Sequence, residues 1–151
     1  MGILDFLKKK DNPNKSLITI TENASLCPLP INKKGTDMTQ YWIFCDQLRR
    51  EVLYGNQFDL LVCDRSIVDS IAYGSFLGFK EICEAKYQLA KTFMHTYTKI
   101  YFKSTDKNDW WYADGVRDHK DLQYRLDVEQ YMLAIYKRLL DDGCEFEFEV
   151  I

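Results

Sequence analysis

Four short β-rich apolar runs, near residues 17–21, 57–64, 99–104 and 145–151, alternate with longer stretches whose apolar residues recur at helical spacing. Parallel strands need a crossover of about a dozen residues or more between them, usually a helix, and this alternation supplies one. The run "QFDLLVCD" is almost continuously apolar, as a strand covered on both faces would be. The expected fold class is therefore α/β, a three-layer sandwich with a mainly parallel sheet. At 151 residues, 46% hydrophobic and 15% aromatic, the chain has enough apolar material for one core, so residues 1–151 are read as a single domain.

Helices are expected over residues 2–10, from Thr36 or Asp37 to about Gly55, and over 66–78, 80–98 and 121–141. In the second of these, Met38, Tyr41, Trp42, Cys45, Leu48 and Val52 form an apolar stripe. Two prolines, Asn32 and Gly35 make 27–35 a loop, and "DKNDWWYADGVRDHKD" reads as a long polar one.

A net charge of −3 rules out a chain-wide basic field, so extended nucleic acid is not an expected partner and any nucleotide must be bound locally. The five cysteines are widely spaced and form no CxxC or Cys/His pattern; they read as reduced thiols, mostly small core residues, of a cytoplasmic protein. No apolar run approaches the roughly 18–20 residues that span a bilayer, and the first residues lack the order of a secretion signal. His95 and His119 have no partners at metal-ligand spacing.

In parallel sheets ligands bind outside the C-terminal strand ends, so polar residues just after an apolar run are site candidates. Two runs end that way, the first in Glu22 and the second in Asp64-Arg65-Ser66. A carboxylate that faces a metal ion or a substrate hydroxyl, beside an arginine that spreads its charge over phosphate oxygens, suits phosphoryl transfer. Ser66 also has the chemistry of a cap for the next helix. Asp69 and Tyr73 lie four apart on that helix and share a face.

"LLVCDRSIVDSIAYG" resembles the Asp-Arg motif at the end of the third strand in P-loop nucleoside and nucleotide kinases, among them thymidylate, deoxynucleoside and nicotinamide riboside kinases. More closely, it resembles the small ATPase/kinase-like group in which a strand-end Glu is followed by a Pro-containing loop and a helix carrying Gln and Trp. Here these are Glu22, "CPLPIN", Gln40 and Trp42. "ADGVRDHKDLQYRLD" resembles that group's lid, which places a lid at about 105–127. The resemblance spans about residues 17–150. It implies a P-loop NTPase-like fold, with ATP and Mg²⁺ as cofactors and a nucleoside, nucleotide or similar small hydroxyl compound as phosphoryl acceptor. It further implies Glu22 as general base or hydroxyl ligand, Asp64 as a metal-facing or base carboxylate, and Arg65 on phosphate oxygens. Arg117 and Arg125 would be lid arginines, and Trp42 or Tyr41 would stack on a ring, with Gln40 and Tyr73 beside the substrate.

The seven glycines stand at 2, 35, 55, 74, 78, 115 and 143, and none makes the GxxxxGK[ST] loop on which those kinases depend. The sequence is thus expected to lack the family's first strand and phosphate loop. That strand would lie between the strands at 57–64 and 99–104. Two structural alternatives follow: the sheet closes up in a different order, or a second chain or homo-oligomer fills the gap. Two functional alternatives follow as well, a phosphotransferase incomplete without that loop and a non-catalytic relative that binds a nucleotide or a protein.

Overall fold

The computed structural model describes residues 15–105 and 121–151. The helix expected over 2–10 lies outside them, as do Arg117, His119 and the Asp-Gly-x-Arg turn of the expected lid. Strands β1 (Leu17–Ile20), β2 (Leu60–Cys63), β3 (Lys99–Phe102) and β4 (Glu147–Val150) occupy the four apolar runs. Between them stand helices α1 (Asp37–Gly55), α2 (Asp69–Phe76), α3 (Lys80–Phe93) and α4 (Leu122–Asp141).

The helix boundaries have local causes. Thr36 begins α1 with a reciprocal capping box: the Thr39 amide donates to the Thr36 hydroxyl at 3.3 Å, and the Thr36 amide donates to Thr39 Oγ1 at 3.0 Å. Asp121 caps α4 by accepting from the Tyr124 amide at 2.9 Å. Gly78, between α2 and α3, and Gly143, after α4, take φ values of +85° and +92°, where a side chain would be strained.

All described strand pairing is parallel. β1 pairs with β2 in the register Leu17↔Leu60 to Ile20↔Cys63, and β3 pairs with β4 from Lys99↔Glu147 to Phe102↔Val150. These are two separate pairs, since no ladder joins β2 to β3 among the described residues. Of the two structural alternatives, closure of the sheet in a different order is not what the described strands do.

The fold is mixed α/β, with short parallel strands and a helical layer. α2 packs against both α3 and α4, and α1 packs against α2, β1 and β2. Ile67, Val68, Met94 and Leu139 are buried between these elements together with Ile100 and Phe102 of β3. Burial of each such aliphatic side chain contributes about 1.5–3 kcal/mol. Tyr136 of α4 fixes the strands to the helices, with its ring centroid 6.5 Å from that of Phe102 and 5.2 Å from that of Phe148. Residues that alternate with these on β3 and β4 are Lys99, Glu147 and Glu149, which form ion pairs with one another. On β3 and β4 the described residues therefore show a helix packed on one face and ion-paired side chains on the other.

Most of the apolar stripe of α1 lies outside the core: Leu48 packs against it, but Met38, Tyr41 and Val52 are 53%, 49% and 48% exposed. The buried residues of α1 are Thr39, Gln40, Phe44, Gln47 and Glu51. Each of these polar residues has a hydrogen-bond partner inside the molecule, which is what allows a polar face to be buried. The cysteines are also less uniform than expected, because all five are free but only Cys83 is fully buried.

Candidate functional site

The main chain leaves β2 through a strained residue. Arg65 has a φ of +141°, a conformation that L side chains rarely adopt and that is usually held by surrounding structure at functional positions. The holding contact comes from α1, where Gln47 Nε2 donates to the Arg65 carbonyl at 3.1 Å. With the backbone turned in this way, the Arg65 guanidinium lies 3.5 Å from the Asp69 carboxylate.

Ser66 links this pair to α4. Its hydroxyl donates to Asp69 Oδ1 at 3.2 Å, is 2.6 Å from the Tyr136 hydroxyl, and accepts from the Val68 amide at 3.0 Å. The capping role read from the sequence is not what Ser66 takes: Val68 stands at the N-cap of α2 without a side-chain cap, and Ser66 closes the turn before it and links it to α4. Burial raises the pKa of the Asp69 carboxyl, against the opposing pull of Arg65 and Ser66. Burial alone would lower that of Arg65, but Asp69, Tyr73 and Asp64 outweigh it and hold the guanidinium firmly charged.

Two cavities meet at this strand end. The smaller, about 90 Å³, is bounded by Glu22, Gln40, Gln47 and Ser70, and the larger, about 1490 Å³, by Asp64, Arg125 and the strand edges of β2 and β3. Arg65, Ser66, Asp69 and Tyr73 line both. Asp69 and Tyr73, read from the sequence as sharing a helix face, thus line the same cavities.

The other predicted residues take varied positions. Glu22 lies two residues beyond the end of β1 and accepts from the Ser25 amide at 3.2 Å while lining the smaller cavity. Asp64 is exposed at the end of β2. Gln40 lines the smaller cavity, but its side-chain oxygen is occupied by Lys86 Nζ at 3.1 Å. Arg125 lines the larger cavity, and its buried NH1 has no hydrogen-bond partner among the described residues. Trp42 is half-buried and lines neither cavity, and Tyr41 is largely exposed, so neither is brought to the site.

Sequence reading missed the polar residues behind the strand end. The Tyr97 hydroxyl donates to Glu51 and accepts from the Ile67 amide at 3.0 Å, and Gln47 donates to Glu51 at 3.0 Å. Burial raises the pKa of the Glu51 carboxyl, and burial beside Glu51 pushes the Cys63 thiol up to about 12, which keeps it protonated and unreactive. Lys86, fully inside, donates to the Ser70 carbonyl at 3.0 Å as well as to Gln40, and burial lowers its pKa to about 8. The one signal of all this in the sequence was the run of polar residues on α1 opposite the apolar stripe.

Among the described residues no group of three His, Cys, Asp or Glu side chains could by itself hold a metal ion. No described helix is long and apolar enough to cross a membrane. A protein family described as an AAA domain matches residues 33–148, which cover most of the chain and contain α1, the Asp64-Arg65-Ser66 strand end and α4. No curated protein and no solved structure matches.

Proposed function

This chain belongs to the AAA domain family, whose members have a P-loop NTPase-like, nucleotide-binding character, and from that premise we propose that it binds ATP and, when completed by a phosphate-binding loop of the GxxxxGK[ST] kind, transfers its terminal phosphoryl group to a small hydroxyl compound. The observation that carries this reading is the conformation of Arg65. A strained backbone points a charged guanidinium, braced by Asp69 and by Gln47, at the junction of the two cavities. Arg65 would hold phosphate oxygens there, and Arg125, whose NH1 has no hydrogen-bond partner among the described residues, would add a second cation for them in the larger cavity.

The smaller cavity fits the acceptor side. Its roughly 90 Å³ is below the ~300–1,000 Å³ usual for a whole ligand, so only the reacting end of an acceptor would enter it. Glu22 at its wall would accept the proton of an acceptor hydroxyl. Asp64 would be the carboxylate that faces Mg²⁺, whose remaining ligands would be phosphate oxygens and water. Bound Mg²⁺ would supply neutralisation of phosphate charge.

Calorimetric titration of the full chain with ATP, with and without Mg²⁺, tests the reading. Binding is expected, and Arg65→Ala should weaken it at least tenfold, about 1.4 kcal/mol. Absence of heat with ATP would sink the nucleotide reading. Binding with no phosphate transfer to any nucleoside or nucleotide, even with a GxxxxGK[ST] segment supplied, would instead identify a non-catalytic nucleotide-binding relative.

A further inference from the structure

Two side chains from elsewhere in the chain hold the main chain of the turn after β2, and one carboxylate orients both. Gln47 Nε2 donates to the Arg65 carbonyl at 3.1 Å, and two residues on, the Ile67 amide donates to the Tyr97 hydroxyl at 3.0 Å. Glu51 joins the two holders. One of its oxygens accepts from Gln47 Nε2 at 3.0 Å, and the other accepts from the Tyr97 hydroxyl. An ionised carboxylate is acceptor-only on both oxygens, so it takes the two donors at once. With its hydrogen committed to Glu51, the Tyr97 hydroxyl is left to accept from Ile67.

Gln47 is buried, and both groups facing its Nε2 are acceptors, which fixes the amide in one orientation. That orientation has a visible consequence: the buried Gln47 Oε1 has no hydrogen-bond partner among the described residues. A buried acceptor left unpaired is unfavourable, and so is a non-glycine residue at a φ of +141°. These two unfavourable features are joined by a single hydrogen bond, at the junction of the two cavities that Arg65 lines. Local conflicts of this kind are tolerated where a site's geometry is fixed by the residues behind it.

We infer that Glu51 is a positioning residue for Arg65: its carboxylate orients Gln47 and Tyr97, which hold the main chain of residues 65–67 so that the guanidinium faces the cavity junction. Glu51 borders the larger cavity, but both of its oxygens are occupied by these two partners, so it acts through them. The inference deepens, and rests on, the reading of Arg65 as a phosphate ligand, whereas the hold on the main chain can be measured without nucleotide. Glu51→Gln keeps the size of the side chain and removes one acceptor. Its amide oxygen can serve Gln47 or Tyr97, and its amide NH₂ then opposes the donor of the other.

The test uses the full chain at pH 8 and two readouts. Without nucleotide, the three-bond coupling between the Arg65 amide and Hα protons reports its φ, and it should rise in Glu51→Gln as the residue relaxes towards negative φ. With nucleotide, calorimetric titration should find ATP bound at least tenfold more weakly by Glu51→Gln, about 1.4 kcal/mol. The same substitution made on Arg65→Ala should weaken binding no further, because no guanidinium is left to position. If Glu51→Gln does not fold, Gln47→Met, which leaves the contact between Glu51 and Tyr97 in place, takes its stead with the same expectations. The inference is overturned by an unchanged coupling in the folded variant, or by unchanged ATP affinity despite an altered coupling. It is overturned equally by a loss as large on Arg65→Ala as on the wild type, which would place the effect of Glu51 elsewhere. A wild type that binds no ATP would remove the phosphate reading of Arg65 by itself, and the coupling alone would then decide whether Glu51 positions this residue.

Discussion

The Arg65 guanidinium lies 3.5 Å from the carboxylate of Asp69, one helical turn further on, while the Arg65 backbone is held at a φ of +141°. Side chain and backbone at this position make separable demands. Strain of this kind costs about 1–3 kcal/mol for any residue except glycine. Arg65→Gly and Arg65→Ala both remove the guanidinium and leave Asp69 without its cation, but only glycine relieves the backbone. Chemical denaturation should find Arg65→Gly more stable than Arg65→Ala by about 1 kcal/mol or more, with both defective in ATP binding. Equal stabilities would show that the backbone is not strained.

Lys86 gives a pH dependence of defined sign. Its folded-state pKa is lowered from 10.5 to about 8, so between those values the unfolded chain binds the extra proton. Stability then rises with pH across that window, by at most about 3 kcal/mol, as the cost of burying the charge disappears. Below pH 8 both states are protonated and the full cost is present. Lys86→Met should remove this contribution, and subtraction of its denaturation curves from those of the wild type between pH 7.5 and 10.5 isolates it. A flat difference would refute the assignment.

Tyr97→Phe deletes the hydroxyl that donates to Glu51 and accepts from the Ile67 amide. Loss of about 1–3 kcal/mol is expected, the usual effect of leaving buried groups unpaired. The donated bond favours the ionised form of Glu51, whose folded-state pKa burial raises above 4.5. The mutation should therefore cost more at pH 8, where the carboxylate is charged, than at pH 4.5, where most of it is protonated. A pH-independent loss would mean that the Ile67 contact alone matters.

Gly74 lies inside α2, where alanine would ordinarily favour a helix by about 1 kcal/mol. Here an added Cβ would stand 2.6 Å from Gln40 Oε1 and 2.8 Å from Cys83 Sγ, so Gly74→Ala should destabilise the fold by about 1–3 kcal/mol. Shortening the obstructing side chain tests the cause: Gly74→Ala combined with Gln40→Ala should be less destabilised than the sum of the two single variants in thermal denaturation. Strict additivity would place the clash elsewhere.

How much of the site was legible depends on sequence separation. Asp64, Arg65, Ser66 and Asp69 are neighbours in the chain, and an apolar run broken by such residues shows the strand end directly. Ser66 and Tyr136, by contrast, are separated by 70 residues, and Tyr97 and Glu51 by 46, so no local pattern joins them. Glu22 was placed by the same local logic as Asp64, and it does reach the smaller cavity, whereas Trp42, whose stacking role was implied by the resemblance alone, reaches neither.

That stripe divides what the sequence determined from what tertiary structure decided. Apolar alternation and capping residues determined the order of strands and helices, because those preferences act within a few residues. Helical periodicity likewise established that α1 has two unlike faces. Which face turned inward was decided by partners far along the chain. Tyr97 and the Arg65 carbonyl meet Glu51 and Gln47, while Lys86 meets Gln40. A polar face can be buried only where such groups satisfy it, and only the packed fold brings them together.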